Sequence, residues 1–259
     1  MNFDQIRISA KNLGELNNKN FCSRCFWLKT SVSNRVPYSI FPGIFSSIDS
    51  YTKKMVERHF DKTGEAPQWI QELAMGDLKG YVKTSRTTFF YEDSQTGIKL
   101  TGDPDQIFES SDGTSILIDY KTSKITATQD QMYPVYEFQL NGYRLIAESI
   151  GLPKVSKMAL IYTEPQTDDF ETESVDHRSG FIMDFKSSVR PVEIKDGLVE
   201  SKMAKAREIM ELPEIPKTRK FFSKGKEVKC KDCKKWRKSF GYLNQNGLNK
   251  ILKYPLITV

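Results

Sequence analysis

The sequence of 259 residues has no segment that indicates a membrane or secreted protein. No apolar run approaches the ~20 residues that a membrane-spanning helix needs, and Met1-Asn2-Phe3-Asp4 does not begin a signal peptide. Internal repeats and low-complexity tracts are also lacking. The hydrophobic content of 38% and aromatic content of 12% argue against a disordered chain. We therefore expect a cytoplasmic protein with no membrane partner, built as one large α/β domain or as a catalytic core with a small appendage.

Charge is unevenly distributed along the chain. The formal net charge is +6, but residues 201–259 contain 13 Lys and 3 Arg against 5 acidic residues, a net charge of +11, so the first 200 residues carry −5. A basic segment attached to an acidic body is typical of a protein that binds a polyanion, most often nucleic acid. The alternative is a solvated lysine-rich tail that only keeps the protein soluble, which would give the same charge distribution.

Only four cysteines are present, and they form two Cys-x-x-Cys pairs, Cys22 with Cys25 and Cys230 with Cys233. Without a secretory signal, structural disulfides are not expected. Two such pairs supply the four thiolates of a tetrahedral metal site. Because 204 residues separate the pairs, a shared site would clasp the two ends of the fold together. The alternative is two unrelated pairs of reduced, packed cysteines.

The order of predicted elements favours an α/β core. Apolar residues at helical spacing predict helices over 10–16, 43–60, 134–150 and 195–211. Strand-like runs occur at 87–93, 98–110, 114–123, 155–163 and 179–189. Turn residues separate the first three runs, which predicts a meander. We divide the chain into an N-terminal helical region (1–80), a core (81–200), and a C-terminal helix with a basic tail (201–259).

Two acidic residues mark a candidate catalytic site. Asp105 lies near the end of one strand-like run and Asp119 near the end of the next, so a tight turn between antiparallel strands would bring their carboxylates together. Paired carboxylates repel each other unless a cation binds them, and Mg²⁺ and Mn²⁺ prefer such oxygen ligands. Lys121 shares a sheet face with Asp119, because side chains two apart in a strand point the same way.

This arrangement resembles the PD-(D/E)XK nuclease superfamily, and within it the RecB-like exonuclease branch, which includes CRISPR-adaptation nucleases. The G-x-x-D motif of that branch matches residues 102–105, and its (D/E)-x-K motif matches Asp119 and Lys121. A Q-x-x-x-Y motif matches Gln139 and Tyr143, which are four apart on one helix face. The resemblance implies a restriction-endonuclease-like core, in which a central mixed β-sheet is flanked by helices and the four-cysteine site clasps the termini.

The resemblance also implies roles for these residues. Asp105, Asp119 and the Tyr120 carbonyl would hold one or two Mg²⁺ or Mn²⁺ ions. Lys121 would orient or deprotonate the attacking water, while the glutamine and tyrosine of the third motif would position the DNA backbone or the lysine.

An upstream helical acid or histidine often completes the metal site in this branch. The best match is Asp49, on the predicted helix 43–60, and Glu57 and His59 on the same helix are competitors. Histidine is common at this position, so the aspartate is a departure from the pattern.

The cysteines resemble those of an iron–sulfur subset of the branch, in which one [4Fe–4S] cluster ties the termini together. That subset typically uses one N-terminal and three C-terminal cysteines, whereas this chain has two and two. Ligation by four cysteines suits Zn²⁺ as well as a [4Fe–4S] cluster, so zinc is the alternative. We expect a structural rather than a redox role.

The basic tail is the predicted DNA-binding surface. Its positive side chains would neutralise phosphates beside the cleft, foremost Lys234, Lys235, Arg237 and Lys238. Nearby aromatic residues would stack unpaired bases or, as we favour, pack around the cysteine site; they are Phe221, Phe222, Trp236 and Phe240.

These features predict a Mg²⁺- or Mn²⁺-dependent deoxyribonuclease, an exonuclease that acts on DNA that is single-stranded or has free ends. Protein partners in repair or CRISPR adaptation fit such an activity. Two other functions stay open: a non-catalytic nucleic-acid-binding or assembly subunit that retains the nuclease fold, and a zinc-stabilised RNA-processing protein.

Overall fold

The computed structural model of the chain describes residues 6–31, 42–71, 78–85, 87–124, 131–166, 183–223 and 225–240. The helices of these ranges are α1 (Ala10–Gly14), α2 (Ser23–Ser31), α3 (Gly43–Thr63), α4 (Gln68–Gln71), α5 (Tyr133–Ser149), α6 (Leu198–Met210) and α7 (Lys231–Phe240), with a 3₁₀ turn at Glu15–Asn17. The strands are β1 (Ile6–Ser9), β2 (Leu78–Val82), β3 (Phe90–Asp93), β4 (Ile98–Thr101), β5 (Gln106–Ser110), β6 (Ser115–Thr122), β7 (Val155–Pro165), β8 (Phe185–Val192), β9 (Lys220–Ser223) and β10 (Lys226–Lys229).

Five strands form a central mixed sheet in the order β2-β5-β6-β7-β8. The β6–β7 pair is parallel, and the other three pairs are antiparallel. Parallel neighbours need a crossover connection, and α5 supplies it between β6 and β7. The predicted α/β class, with a mixed central sheet flanked by helices, is confirmed.

The predicted meander is wrong. β3 and β4 pair with each other, and β1 adds to β4 in parallel, so these strands form a separate three-stranded sheet. The run 98–110 therefore contains two strands, which are interrupted at residues 102–105. Pro104 in this interruption has no N–H to donate to a strand ladder. The chain leaves one sheet and enters the other within the predicted G-x-x-D motif.

Several element bounds also differ from the predictions. β1, β2 and the β9–β10 hairpin were not predicted as strands, and the helix predicted at 195–211 begins only at Leu198. The backbone N–H of Lys195 instead donates a 2.8 Å hydrogen bond to Oδ1 of Asn141, which ties this segment to α5. The strand predicted at 179–189 is described from residue 183 onward, and β8 continues to Val192.

Apolar side chains cover both faces of the central sheet. One cluster joins the sheet to α1, α2, α5 and α6, with Leu13, Phe138 and Met203 among its fully buried members. A second cluster joins the opposite face to α3 and α4 through Val56 and Ile70. Alternate residues of β6 enter the two clusters, as the pleat of a strand requires. Both faces of β6 are thus buried, and its polar residues are enclosed.

The N-terminal helix α1 lies unusually close to α5. A Cβ atom at Gly142 would lie 2.7 Å from Cβ of Ala10, so only glycine permits this approach. The contact brings residues from the start of the chain beside α5. Within the described ranges, none of the helices has the length and apolar character needed to cross a membrane. The division at residues 80 and 200 stays a prediction.

Candidate active site and cysteine site

Asp105 and Asp119 face each other at one end of the central sheet. In the β5–β6 ladder Gln106 pairs with Ile118, so the adjoining residues Asp105 and Asp119 are opposite each other. Asp105 precedes β5 instead of ending a strand, which corrects the predicted position. The backbone N–H of Tyr120 donates a 2.7 Å hydrogen bond to Oδ2 of Asp105 and fixes the orientation of its carboxylate. The structure thus brings the two predicted acids together.

Burial and mutual repulsion perturb the carboxyl groups of this site. Burial, followed by the charge of Asp119, raises the pKa of Asp105 to about 6. Burial, followed by the charge of Asp105, also raises the pKa of Asp49. Carboxylates that are dehydrated and close together are stabilised by a bound cation, and their oxygens are the ligands that Mg²⁺ and Mn²⁺ prefer. The residues present therefore fit a divalent cation.

Lys121 and Gln139 hold the second acid. The Lys121 ammonium forms an ion pair with Oδ2 of Asp119, and its Nζ lies 4.6 Å from the centre of the Tyr136 ring. Nε2 of Gln139 donates hydrogen bonds to Oδ1 of Asp119 (3.1 Å) and to the Tyr143 hydroxyl (2.7 Å). Lys121 contacts Asp119 on one sheet face, as the spacing predicted, and the glutamine and tyrosine share one face of α5. Their catalytic roles stay a prediction.

The glycine of the G-x-x-D motif lies against the tyrosine of the third motif. A Cβ atom at Gly102 would lie 2.6 Å from two ring carbons of Tyr143, closer than real side-chain contacts allow. Burial raises the pKa of Tyr143, so its hydroxyl stays protonated at neutral pH. The two motifs therefore pack directly against each other, a contact that motif spacing did not predict.

Asp49 reaches the site together with a lysine. Nζ of Lys53, one turn further along α3, lies 3.4 Å from Oδ2 of Asp49 and 2.5 Å from Oδ1 of Asp105. Glu57 follows after one more turn, and His59 is exposed. Lys53 was not among the predicted site residues, although its i+4 spacing from Asp49 indicates a contact between the two.

The three carboxylates do not converge on one point. Among the described residues, the cysteines are the only group of three or more possible metal ligands whose ligand atoms all lie within 4.8 Å of one another. Asp105 and Asp119 are neighbours across the strands, whereas Asp49 is joined to Asp105 through Lys53. The aspartate pair is therefore the centre of the candidate site, and Asp49 lies at its edge.

Lys11 adds a positive charge from α1. Burial, followed by the charge of Lys121, lowers the pKa of Lys11, while Asp119 acts in the opposite direction. Lys11 was not among the predicted site residues, because nothing in the local sequence shows that α1 packs beside α5. The carboxylates are thus surrounded by lysines from three elements, α1, α3 and β6.

The fold and this geometry agree with the comparison with protein families. The model of the PD-(D/E)XK nuclease superfamily matches residues 26–237, most of the chain. The chain belongs to this superfamily. Its members are generally metal-dependent nucleases that act on nucleic acid, and the matched range includes both aspartates and, of the four cysteines, Cys230 and Cys233. The search of curated proteins returned no match.

The four cysteines of this PD-(D/E)XK protein form one cluster. Sγ of Cys25 lies 3.3 Å from Sγ of Cys233 and 3.6 Å from Sγ of Cys230, and Sγ of Cys22 lies 3.6 Å from Sγ of Cys233. All four are free thiols, and Phe221 packs against them. Elements from the two ends of the described chain therefore meet here, and the predicted shared site is confirmed as a cluster.

The sulfur spacing fits a metal ion. A Zn–S bond of ~2.3 Å in tetrahedral geometry places four sulfurs about 3.8 Å apart, close to the observed values. A side-chain hydrogen bond with Cys25 is the main reason why the pKa of Cys22 is lowered to about 4, while the same contact raises the pKa of Cys25 and burial raises the pKa of Cys233 to about 11. The cluster thus has the sulfur spacing of a metal site, and a bound ion would favour the thiolate form of its cysteines.

The C-terminal aromatic and basic residues have different surroundings. Trp236 is buried in the main core, whereas the Phe222 side chain is 82% exposed. Among the predicted DNA-binding residues, Lys234, Lys235 and Arg237 are exposed on α7. The side chains of Lys238 and Phe240 lie outside the described part of the structure.

Proposed function

We propose that this protein is a Mg²⁺- or Mn²⁺-dependent nuclease that hydrolyses phosphodiester bonds of DNA and acts as an exonuclease. The observation that carries the proposal is the facing pair Asp105 and Asp119 with Lys121 on the same sheet face, inside the fold of a nuclease superfamily. DNA that is single-stranded or has free ends is the proposed substrate, with protein partners in repair or CRISPR adaptation.

Each polar residue of the site has a distinct role in this proposal. The carboxylates of Asp105 and Asp119, with the Tyr120 carbonyl and Asp49 beside them, would hold the ion. When bound, the ion stabilises negative charge that develops on the scissile phosphate and makes water a better nucleophile. Gln139 keeps Asp119 oriented through its 3.1 Å hydrogen bond.

Lys121 acts as a hydrogen-bond donor in this proposal. Burial opposes its charge, but Asp119 more than offsets burial and the pKa of Lys121 is raised. The raised pKa favours the ammonium form of Lys121 in the metal-free site. We therefore assign Lys121 to orienting the attacking water and the phosphate rather than to deprotonating the water.

A cleavage assay on end-labelled linear DNA, circular DNA and RNA tests the proposal. The wild type should degrade linear DNA with Mn²⁺ and not without an added divalent cation, and Asp119→Ala should be at least about 100-fold slower. Asp112→Ala, in the exposed β5–β6 turn, is the matched control and should retain activity.

The same assay separates the alternatives. Cleavage of linear but not circular DNA supports an exonuclease, and equal cleavage of both supports an endonuclease. DNA binding by a wild type that is as inactive as Asp119→Ala would favour a non-catalytic subunit. A preference for RNA would favour RNA processing.

We propose that the cysteine site holds a single Zn²⁺ ion in a structural role. Four thiolates bound to the separate irons of a [4Fe–4S] cluster must lie farther apart than four thiolates on one ion, and the 3.3–3.6 Å sulfur distances favour one ion. Metal analysis of anaerobically purified protein should find one zinc per chain and no broad visible absorbance. Four irons per chain with a brown colour would overturn this assignment in favour of the cluster.

A further inference from the structure

Lys53 occupies the side of Asp105 that faces α3. Its Nζ lies 2.5 Å from Oδ1 of Asp105 and 3.4 Å from Oδ2 of Asp49, so one ammonium bridges both carboxylates. The Asp105 side chain is only 13% exposed, and that of Lys53 is 27% exposed. This contact is a partly dehydrated ion pair, so water screens its charges less than those of a surface pair.

Both carboxylate oxygens of Asp105 are engaged. Oδ2 accepts the backbone N–H of Tyr120 at 2.7 Å, and Oδ1 accepts the ammonium of Lys53. The Tyr120 N–H is fixed within β6, which is paired on both sides in the central sheet. Lys53, by contrast, ends a flexible four-carbon stem. A cation that approaches Oδ1 of Asp105 therefore meets the charge of this lysine, which can move away, whereas the backbone donor stays in place.

We propose that Lys53 is an internal competitor of the divalent cation, which neutralises Asp105 in the metal-free protein and leaves it when the cation binds. The inference rests on the proposed function, since it concerns the same carboxylates. Two positive charges cannot share Oδ1 at close range without strong repulsion. Lys53 therefore weakens cation binding and stabilises the metal-free site, and it is a positioning residue rather than a catalytic one.

Calorimetric titration of Mn²⁺ into the zinc-loaded full chain, without DNA, tests the competition. Lys53→Met keeps the length of the side chain but removes its charge, and it should bind Mn²⁺ roughly three- to tenfold more tightly than the wild type. Lys53→Arg keeps the charge and should bind close to the wild type. Lys54→Met, the exposed neighbour on α3, removes the same charge outside the ion pair and should change affinity less than twofold.

A thermal-unfolding measurement supports the titration. In the zinc-loaded protein without added Mn²⁺, Lys53→Met should unfold at a lower temperature than the wild type because the facing carboxylates lose their counter-ion. Saturating Mn²⁺ should raise its unfolding temperature by more than that of the wild type.

Equal or weaker Mn²⁺ binding by a folded Lys53→Met would overturn the competition and assign Lys53 to holding α3 in place. If Lys53→Met does not fold, Lys53→Gln replaces it with the same expectation. Absence of any Mn²⁺ binding in wild type and variants alike would overturn the proposed metal-dependent function together with this inference. Mn²⁺ binding without DNA cleavage would overturn the nuclease proposal and leave the competition to be judged by the affinities.

Discussion

Asp105 interacts with polar and charged groups on several sides of the candidate site. Its carboxylate accepts the Tyr120 N–H and the Lys53 ammonium, and it faces Asp119 across the strands. Burial and the charge of Asp119 nevertheless outweigh these favourable contacts, and the pKa rises to about 6. Without a divalent cation, the folded protein therefore holds a proton on this carboxyl group more tightly than an ordinary aspartate does.

The raised pKa of Asp105 predicts the direction of a pH dependence. Between pH 4 and 6 the folded state binds this proton more tightly than the unfolded chain, so stability from this group is present at low pH and lost as pH rises. In the zinc-loaded protein without added Mn²⁺, the free energy of unfolding of the wild type, relative to Asp105→Asn, should fall by about 2–3 kcal/mol from pH 4 to pH 7. Urea unfolding at a series of pH values measures this difference.

Mn²⁺ provides the control for that experiment, because a metal binds the deprotonated carboxylate. Saturating Mn²⁺ should reduce or reverse the loss in the wild type and leave Asp105→Asn unchanged. A difference between the two proteins that is independent of pH would contradict the raised pKa.

At the scale of elements, the junction between two sheets shapes the site. Residues 102–105 carry the chain from β4 into β5, and this junction packs against α5 at Tyr143. The hydrogen bond from Gln139 to Tyr143 and the contact of Gln139 with Asp119 continue this packing to the carboxylates. The position of α5 relative to the junction therefore sets the geometry of the acids.

A substitution at the junction tests this packing. Gly102→Ala should destabilise the protein by about 1–3 kcal/mol, because the added methyl group overlaps the Tyr143 ring and the backbone must shift. Urea unfolding measures the loss. Gly43→Ala, at a position where a Cβ meets nothing within 4 Å, is the matched control and should be close to neutral. In a Tyr143→Leu background, Gly102→Ala should lower the free energy of unfolding by less than it does in the wild type. An equal loss in both backgrounds would refute the contact.

At the scale of the whole molecule, the cysteine cluster joins segments from both ends of the described chain. Cys22 and Cys25 lie at α2, and Cys230 and Cys233 lie at α7, yet their sulfurs are within 4.8 Å of one another. A bound ion would cross-link a loop of about 200 residues, which removes conformational entropy from the unfolded chain. The cluster is therefore expected to contribute to global stability.

Removal of the ion should destabilise the fold. On the scale of disulfide cross-links the loss is about 4–5 kcal/mol, and Cys233→Ser should show most of it. Thermal unfolding with and without a zinc chelator measures the effect. The chelator should lower the unfolding temperature of the wild type and leave Cys233→Ser unaffected, whereas an equal response of both proteins would show that the cysteines hold no stabilising ion.

The basic surface of α7 predicts a salt dependence of DNA binding. Replacing Lys234, Lys235 and Lys238 by Gln should reduce the slope of log affinity against log salt by up to ~0.9 for each phosphate that the variant no longer neutralises. Binding is measured in Ca²⁺ to limit cleavage. Replacing Lys202 and Lys205 of α6 by Gln is the control for charge alone, and equal slopes in all three proteins would show that α7 is only a solvated surface.

Local spacing made part of the fold predictable. The α/β class, the crossover helix α5 and the shared face of Asp119 and Lys121 follow from periodicities of 3.6 and 2, which the sequence displays directly. The shared cysteine cluster followed from valence, because two thiolate pairs complete one tetrahedral site. The predicted meander is wrong because the pairing of the runs 87–93, 98–110 and 114–123 depends on which of two sheets each strand joins, and the local sequence does not show this.

Residue order and spacing identify the candidates for the chemistry: the two aspartates, the lysine, the glutamine–tyrosine pair and the four cysteines. The charges that surround them are known only from the way in which the helices pack on the sheet. Lys53 is 52 residues from Asp105, and Lys11 is further still from Asp119. Such contacts depend on how α3 and α1 pack on the sheet, which results from apolar burial summed over distant segments. The i+4 spacing of Lys53 from Asp49 indicates only their contact within α3 and not the contact with Asp105.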